Sequence, residues 1–423
     1  MKIRRSSQIQ FFVYFCIATW LSSSVCYSQM VEVGSNLNMK TLSDSKYITG
    51  RELCFNRSSV LKKEFAYWIR VPKSYKEPKL GTTEVYAYTF KPIVKTNPTV
   101  LFFTGGPGMS GRSIPMHLKN TNVIYFDPRG VACSRPELET DFLDPNFYSS
   151  TTTAFDAFEI LKHLKLNAVS IYGHSYGTVA ATIFASYFPS KTKNLILEGV
   201  VYSADSSLVQ SELKKTILQK FFDSLDYRIQ DKIISLGNSL LAKTWFANVG
   251  SMMLYLNEGV VSYAKFLDIV LSLSDEQIFQ AIGNFDLKDT DEDLLYSSRT
   301  GFAMISCQET TASNFDQSSS LAFNLNRKLE YIKENYFFDF YCFPLGFNQK
   351  QIKAIYHANN YPVKVPVYYL LGQNDGATDL NQGLKHYKNV AKGIKKLLIM
   401  LDGGHMPNLG FIKDNWGCDS DKK

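Results

Sequence analysis

Short apolar runs alternate with segments of helical periodicity through the first half of the chain, and two further apolar runs follow near its end. Eight apolar runs have the length and composition of β-strands. They cover residues 65–71, 85–90, 100–103, 123–126, 169–172, 195–197, 365–371 and 396–401. The first two predict an antiparallel hairpin, and the next three are each followed by a glycine-containing loop, as buried strands of a parallel sheet often are. Helical periodicity at 153–165 and 178–188 completes the pattern of a mostly parallel, doubly wound α/β sheet.

The periodicity changes after residue 201, and this change divides the predicted sheet into two parts. Between about residues 203 and 351 the pattern is mainly helical and rich in Leu, Phe, Ser and Lys, with few strand signals. Strand patterns return at 365–371. The simplest organisation is one α/β core, formed by residues 29–202 and 352–423, which is interrupted by a mainly helical cap at 203–351.

Residues 1–28 have the pattern of a secretory leader. Basic residues at positions 2, 4 and 5 precede an apolar run at 11–21, and small polar residues then lead to a predicted cleavage point after Ser28. The apolar run is too short to cross roughly 30 Å of hydrocarbon as a helix, and no later segment approaches the roughly 18 uninterrupted apolar residues that a span needs, so we expect no stable membrane span. The pattern predicts an exported protein, in the periplasm or the medium. An uncleaved anchor and a lipoprotein attached through Cys26 are the alternatives.

Composition and charge narrow the class of protein. With 423 residues, 45% of them hydrophobic, the chain can bury a large core. The formal net charge of +7 falls to +4 without the three basic residues of the leader, and no basic stripe is interleaved with aromatic residues, so we do not expect nucleic-acid binding. Five cysteines follow the leader, an odd number, and the chain has no CxxC or HxxxH pair of the kind that binds zinc.

The sharpest chemical signal is a Gly-His-Ser-Tyr-Gly motif at 173–177, between the strand at 169–172 and the helix at 178–188. In this context the motif predicts a nucleophile elbow, because the glycines permit a sharp turn that lifts a serine hydroxyl clear of the backbone. We therefore predict Ser175 as a catalytic nucleophile. The alternative is an ordinary glycine-bounded turn between a strand and a helix.

A serine nucleophile needs a base, and the base needs an orienting carboxylate. Of the six histidines, His405 lies in an Asp-Gly-Gly-His loop just beyond the last predicted strand, where the loop can bring an imidazole over the elbow. We predict His405 as the base. His174 is expected to point away from Ser175, and His163 and His386 are expected to lie on helix surfaces.

Two carboxylates satisfy the chain order serine, acid, histidine. Asp375 follows the strand at 365–371 and Glu198 follows the strand at 195–197, so both lie at the carboxyl edge of the sheet, where this architecture binds ligands. Asp375 is favoured as the orienting acid, because a glycine and a short loop place its short side chain beyond the strand end. Asp379, four residues further on, is expected to be solvated.

The predicted oxyanion donors come from two loops. The glycine-rich segment at 104–108 follows the strand at 100–103 and can present backbone N–H groups without interference from Cβ atoms. We predict that the N–H groups of Gly106 and Tyr176 hold the oxyanion. No Gly-Lys-Ser/Thr sequence follows the glycines, so a nucleotide-binding loop is not expected.

These motifs together resemble a known family. Gly-Gly-Pro-Gly at 105–108, Asp-Pro-Arg-Gly at 127–130, the elbow at 173–177, Asp375 and Gly404-His405 occur in the order of the α/β-hydrolase fold. Between about residues 67 and 405 the chain is similar to the proline iminopeptidase and tripeptidyl aminopeptidase group of serine peptidases. The leader, Leu-Glu-Gly-Val-Val at 197–201 and the stretch at 365–377 resemble the exported tripeptidyl-aminopeptidase branch.

The resemblance implies an exported serine aminopeptidase with a capped α/β-hydrolase fold and no metal or organic cofactor. Its partners would be peptides with a free N-terminus, whose α-ammonium group is held by acidic residues near the cap. Glu309, in a Cys-Gln-Glu element similar to one of the family, is the first candidate for this substrate-binding role, and Glu198 is the second. For Glu309 the alternative is a surface carboxylate on a helix. The branch also implies a cap disulfide between Cys307 and Cys342.

Several positions depart from the family pattern. Thr104 replaces the histidine that usually precedes Gly-Gly-Pro-Gly, Asp379 stands where proline is common, and Pro128 and Cys133 alter the usual Asp-Gln-Arg-Gly segment. Arg129 is expected to be structural and to tie loops beside the elbow. The departures leave the serine, acid and histidine intact but weaken the inference about the substrate. A carboxylesterase and a non-catalytic binding protein on the same scaffold therefore stay open as alternative functions, and the sequence does not indicate the oligomeric state.

Overall fold

The computed structural model describes eight segments of the chain. They comprise residues 47–56, 65–111, 118–203, 212–235, 300–310, 319–333, 356–401 and 403–405. The predicted leader at 1–28 and most of the predicted cap, including Cys342, lie outside these residues.

Most of the strands in the described structure belong to one eight-stranded sheet. The strands are β1 (Phe65–Pro72), β2 (Thr82–Thr89), β3 (Thr99–Phe103), β4 (Asn122–Asp127), β5 (Val169–His174), β6 (Thr192–Glu198), β7 (Ser319–Phe323), β8 (Leu329–Lys333), β9 (Val367–Gly372) and β10 (Lys395–Met400). The order along the sheet is β1-β2-β4-β3-β5-β6-β9-β10, and β7 pairs with β8 in a separate hairpin. Only β2 runs antiparallel to its neighbours; the other pairs in the large sheet are parallel.

The helices lie between and beyond these strands. They are α1 (Gly50–Asn56), α2 (Glu139–Phe142), α3 (Ser150–His163), α4 (Gly177–Tyr187), α5 (Glu212–Asp223), α6 (Tyr227–Ser235) and α7 (Leu380–Asn389). Short 3-10 helices cover Pro78–Leu80, Ala132–Ser134, Pro145–Phe147, Pro189–Lys191 and Ala358–Asn360, and a π-helix covers Ser306–Thr310. Among the described residues, no helix combines the length and the apolar character that a membrane crossing requires.

Two apolar layers flank the sheet. On one face, α3 and α4 pack against the strands, and α3 begins where the Ser149 side chain accepts a hydrogen bond from the N–H of Thr152. On the other face lies an aromatic cluster with α1 at its edge, where a Cys54–Cys133 disulfide joins α1 to the loop after β4. Because both faces are covered, the parallel strands are almost continuously apolar, as the sequence showed.

The structure confirms the predicted sheet. All eight predicted strands are present within three residues at each end, β1 and β2 are antiparallel as expected, and the predicted helices correspond to α3 and α4. The strand order reverses beside β3 and β5, and in a parallel sheet such a reversal opens a crevice at the carboxyl ends of the strands. The predicted site residues that follow β3, β5, β6 and β9 therefore lie at the same edge.

The described part of the predicted cap is not only helical. Helices α5 and α6 and the helical segment at 300–310 agree with the prediction, but β7 and β8 form an antiparallel hairpin that the sequence pattern did not indicate. The Gln219 side chain of α5 holds this hairpin, because it donates to the carbonyl of Arg327 at 3.0 Å and accepts from the N–H of Leu329 at 2.6 Å. The hairpin thus depends on a helix about 110 residues away in the chain.

Arg129 has the structural role that its sequence context suggested, with different partners. Its guanidinium is buried and donates to both carboxylate oxygens of Asp156, at 2.7 and 2.6 Å. It also donates to the carbonyls of Pro72 and Lys73 at the end of β1. Arg129 therefore ties the end of a strand to helix α3, where we had expected a tie between loops beside the elbow.

Candidate active site

Ser175 lies in a tight turn at the carboxyl end of β5. Its φ of 55° is in the left-handed region that is uncommon for residues other than glycine, and its N–H donates to the carbonyl of Glu198 at 2.8 Å. Helix α4 begins two residues later, and a Cβ on Gly177 would overlap the carbonyl oxygen of Phe103, so only glycine fits there. Ser175 keeps part of its surface accessible while the residues on either side of it are buried. This geometry is that of a nucleophile elbow.

Asp375 and His405 form a buried pair. The Nδ1 atom of His405 lies 3.0 and 2.9 Å from the two carboxylate oxygens of Asp375. Asp375 also accepts hydrogen bonds from the N–H groups of Ala377 and Thr378 and from the Thr378 hydroxyl, at 2.8, 2.9 and 2.7 Å. Burial alone would raise the pKa of Asp375, but the charge and hydrogen bond of His405 and the donors of Thr378 lower it overall. The carboxylate is therefore held in its charged form.

The His405 ring lies beside the elbow. Its centroid is 5.0 Å from the ring of His174, the residue before the serine, and a Cβ on Gly199 would lie 2.6 Å from His405 Cε1. Gly199 directly follows the residue whose carbonyl accepts the N–H of Ser175. The turn that carries Ser175 and the loop that carries the His405 imidazole therefore both lie at the end of β6. The structure brings Asp375 and His405 together from two separate loops and places the His405 ring beside His174, the neighbour of Ser175. The catalytic contact between His405 and Ser175 stays a prediction.

The two predicted oxyanion donors belong to backbone on both sides of Ser175. The loop after β3 approaches so closely that a Cβ on Gly105 would lie 3.1 Å from the Cβ of Ser175. Gly106 has a φ of 111°, which favours glycine, and is partly accessible. Tyr176 stands at the start of α4, where the aligned peptide dipoles favour negative charge. The arrangement agrees with an oxyanion hole formed by Gly106 and Tyr176. That the two N–H groups point to one position stays a prediction.

Glu198 and Glu309 have different surroundings. Glu198 is buried, and its carboxylate accepts a hydrogen bond from the Tyr172 hydroxyl; because His405 pairs with Asp375, Glu198 is not needed as the orienting acid. Glu309 is partly exposed, and its Oε2 accepts from both the N–H and the hydroxyl of Ser150, at 3.0 and 2.5 Å. Ser150 is the first residue of α3, so this carboxylate lies at a helix N-terminus. The substrate-binding roles of both glutamates stay predictions.

Two histidines outside the pair are buried and neutral. Burial and, to a lesser extent, the neighbouring charge of His405 lower the pKa of His174 to about 3. His386 was expected on a helix surface, and that prediction is wrong. It faces the core from α7, between the hydroxyls of Thr182 and Tyr369, and burial lowers its pKa to about 3.

Sequence reasoning missed several residues that support the site. Thr378 bonds to Asp375, Gly199 makes room for the imidazole, and Ser150 contacts the carboxylate of Glu309. The Asp-Gly-Ala-Thr sequence after β9 was a usable signal for Thr378, whereas nothing local indicated Ser150. In the part of the chain that the structure describes, no group of three or more His, Cys, Asp or Glu side chains is arranged to bind a metal ion. Cys307 is disulfide-bonded, and its predicted partner lies outside the described residues.

Known proteins resemble parts of this chain. Residues 98–253 match the family model of the alpha/beta hydrolase fold. Serine hydrolase BPHL from Homo sapiens is 32% identical over 108 residues, which are 24% of this chain and 35% of the relative. Proline iminopeptidase from Lactobacillus crispatus is 29% identical over 148 residues, which are 34% of this chain and 48% of the relative. The chain thus spans about a third to a half of the length of these curated relatives.

A solved structure, that of MGS-M2, an alpha/beta hydrolase enzyme from a Medee basin deep-sea metagenome library, is 13% identical. The match covers 77% of this chain and 88% of that chain, with a TM-score of 0.40. The strand order, the elbow and the family match lead to one conclusion about architecture. The chain has the α/β-hydrolase fold, with a mostly parallel eight-stranded sheet.

Proposed function

We propose that the protein is a serine hydrolase that acts through an acyl-enzyme. The observation that carries the proposal is the buried, hydrogen-bonded pair of Asp375 and His405 beside the strained and accessible Ser175. An imidazole that is oriented by a carboxylate next to a serine hydroxyl is the arrangement that activates serine as a nucleophile.

The acylation half-reaction follows from this geometry. Nε2 of His405 takes the hydroxyl proton of Ser175 while Oγ forms a bond to the carbonyl carbon of the substrate. Asp375 accepts the hydrogen bond of Nδ1–H and stabilises the imidazolium. The N–H groups of Gly106 and Tyr176 donate to the oxyanion of the tetrahedral intermediate. The intermediate collapses, His405 passes its proton to the leaving group, and the acyl-enzyme remains.

Water completes the reaction through the same groups. His405 removes a proton from a water molecule, and the resulting oxygen nucleophile adds to the acyl carbonyl. The second tetrahedral intermediate expels the Ser175 oxygen, which recovers its proton from His405. The acid product leaves, and the free enzyme is restored.

Within this class we favour an aminopeptidase that acts on peptides with a free N-terminus. Two observations support this choice: the match to a proline iminopeptidase over 148 residues, and the carboxylate of Glu309, which is connected through Ser150 to the residue after the nucleophile. A fixed carboxylate attracts an α-ammonium group and discriminates against a blocked N-terminus. Glu309 is therefore our candidate for the ammonium-binding residue.

We also propose that the protein is exported. The leader pattern at 1–28 motivates this, and the disulfide between Cys54 and Cys133 supports it. Disulfides of this structural kind persist mainly in oxidising compartments. Growth of a host that expresses the full chain, followed by separation of cytosol, envelope and medium, tests the proposal; recovery of the protein only from the cytosol would overturn it.

The activity is tested with three substrates: a tripeptide arylamide, the same compound with an N-acetyl group, and a short acyl ester. We expect the full chain to cleave the free-amine peptide, to leave the acetylated peptide nearly untouched, and to lose turnover in the Ser175→Ala variant. Glu309→Gln should weaken cleavage of the free-amine peptide more than cleavage of the ester, because only the peptide carries an ammonium group.

Other outcomes select the alternatives. Turnover of the ester alone, or equal cleavage of the two peptides, would overturn the aminopeptidase proposal and favour a carboxylesterase, which uses the same three residues. Absence of turnover on all three substrates would contradict the serine hydrolase proposal itself and favour a binding protein on this scaffold.

A further inference from the structure

A chain of side-chain contacts joins the helical segment at 300–310 to the nucleophile elbow. The Glu309 carboxylate accepts the hydroxyl of Ser150 at 2.5 Å, and the Ser150 hydroxyl lies 2.8 Å from the hydroxyl of Tyr176. We propose that this Glu309–Ser150–Tyr176 chain positions the Tyr176 N–H in the oxyanion hole, so that Ser150 and the Tyr176 phenol are positioning residues. The inference rests on the proposed serine hydrolase activity. It adds that hydrogen bonds from the cap segment at 300–310 hold one of the oxyanion donors in place.

The direction of each hydrogen bond follows from the donors available. The hydroxyl of Ser150 has one proton, and the carboxylate of Glu309 can only accept, so Ser150 donates to Glu309. Tyr176 must then donate its phenolic proton to the Ser150 oxygen. Burial raises the pKa of Tyr176, and the negative charge of Glu309 raises it further, so the phenol keeps its proton and remains a donor.

Each member of the chain is held in place. Ser150 and Tyr176 are buried, and the Ser150 N–H gives Glu309 a second hydrogen bond at 3.0 Å. That N–H belongs to the first residue of α3, and a carboxylate is stabilised at a helix N-terminus. The backbone of Glu309 is fixed as well, because its carbonyl accepts the N–H of Tyr356 at 3.1 Å. The Tyr176 hydroxyl is therefore bonded to a Ser150 side chain that is itself held in place.

The position of the Tyr176 side chain matters because the backbone N–H of the same residue is the proposed oxyanion donor. Tyr176 has helical φ and ψ of −50° and −33°, and no side chain caps the start of α4 there. A phenol fixed at its far end limits rotation of the residue and so limits the direction of its N–H. Catalytic groups must be held within about 0.5 Å of the productive geometry, and deletion of a whole oxyanion donor costs roughly 10²- to 10³-fold in kcat.

The same helical segment also reaches the other oxyanion loop. A Cβ on Gly301 would lie 3.4 Å from the Cα of Gly108, in the glycine-rich loop that carries Gly106. One element of the predicted cap thus lies beside the loop of Gly106 at Gly301 and is connected to the Tyr176 side chain through Glu309 and Ser150. This placement makes the segment a support for the oxyanion hole in addition to any contact that Glu309 makes with a substrate.

The test uses Tyr176→Phe and Ser150→Ala in the full chain, with the acyl ester and the tripeptide arylamide as substrates. Each variant should lower kcat about tenfold on both substrates, less than the loss of a donor, while KM for the ester, which carries no ammonium group, changes less than about twofold. The inhibition constant of phenylboronic acid, which forms a tetrahedral adduct on serine, should rise by the same factor as kcat falls. Ser150→Thr, which keeps the hydroxyl, should restore activity.

Tyr369→Phe is the matched control. Tyr369 lies on β9, and its buried hydroxyl is hydrogen-bonded to His386 at 2.9 Å. The substitution should destabilise the chain to a similar extent without lowering kcat. A rise in KM at constant kcat, an unchanged boronate affinity, or an equal loss of kcat in the control would overturn the inference. If the unmodified chain is active and the variants keep its kcat, only this inference fails; if the unmodified chain has no activity, the proposed function fails and the inference fails with it.

Discussion

Acid should destabilise this protein in part through a buried histidine that lies outside the Asp375–His405 pair. His386 lies inside the core on α7, with its ring nitrogens 3.1 Å from the Thr182 hydroxyl and 2.9 Å from the Tyr369 hydroxyl. Burial lowers its pKa from the ordinary value of 6.5 to about 3. The folded chain therefore holds His386 neutral, whereas the unfolded chain protonates it as the pH falls below 6.5.

The sign and the size of the effect follow from this difference. Between pH 6.5 and 3 the unfolded state binds more protons than the folded state, so the free energy of unfolding falls as the pH falls. One group contributes a slope of about 1.4 kcal/mol per pH unit inside this window. From pH 7 to pH 5, His386 should therefore remove about 2 kcal/mol, and His174, with a similar pKa, should add to the total.

Urea unfolding of the full chain at several pH values measures this slope. His386→Gln keeps polar atoms for both hydroxyls but cannot titrate, so its slope between pH 6 and pH 4 should be lower than that of the unmodified chain by about 1.4 kcal/mol per pH unit. His163→Gln, at an exposed histidine on α3, controls for the substitution itself. Identical slopes for the unmodified chain and His386→Gln would refute the reasoning, as would an NMR titration of His386 in the folded chain with a midpoint near 6.5.

Replacing Arg129 with Met should lower the free energy of unfolding by about 3–5 kcal/mol, because the Asp156 carboxylate would stay buried without its ionic partner. Urea unfolding measures this, and a change within error of zero would contradict it. Replacing both Cys54 and Cys133 with Ala should cost roughly 4–5 kcal/mol, since the disulfide closes a loop of 79 residues. The same assay applies, and equal midpoints for variant and parent would be the contrary result. Gly199→Ala should lower kcat on the ester about 10- to 100-fold, because its Cβ would lie 2.6 Å from the imidazole of His405, our proposed base, and its φ is 60°. Unchanged kcat would mean that the imidazole does not depend on this contact.

The sequence by itself determined the sheet and the elbow. Strands and helices follow from the spacing of apolar residues, which is a local property, and every predicted strand of the large sheet is present. The elbow is local as well, since glycines close in the chain set the turn that gives Ser175 its φ of 55°. Asp375 and His405 were predictable because parallel strands deliver their loops to one edge, so the order of motifs along the chain implies proximity in space.

Only the tertiary structure decided which of the remaining side chains meet. Helical periodicity put His386 on a surface, but its burial depends on Thr182, which is 204 residues away in the chain. The contact between Ser150 and Glu309 spans 159 residues, and the hairpin of β7 and β8 is held by a side chain of α5. Local patterns report the conformation of a segment, whereas burial, ion pairing and hydrogen bonding depend on what other segments bring to the same place. For that reason the three predicted catalytic residues could be identified along the chain, and the contacts that hold their surroundings could not.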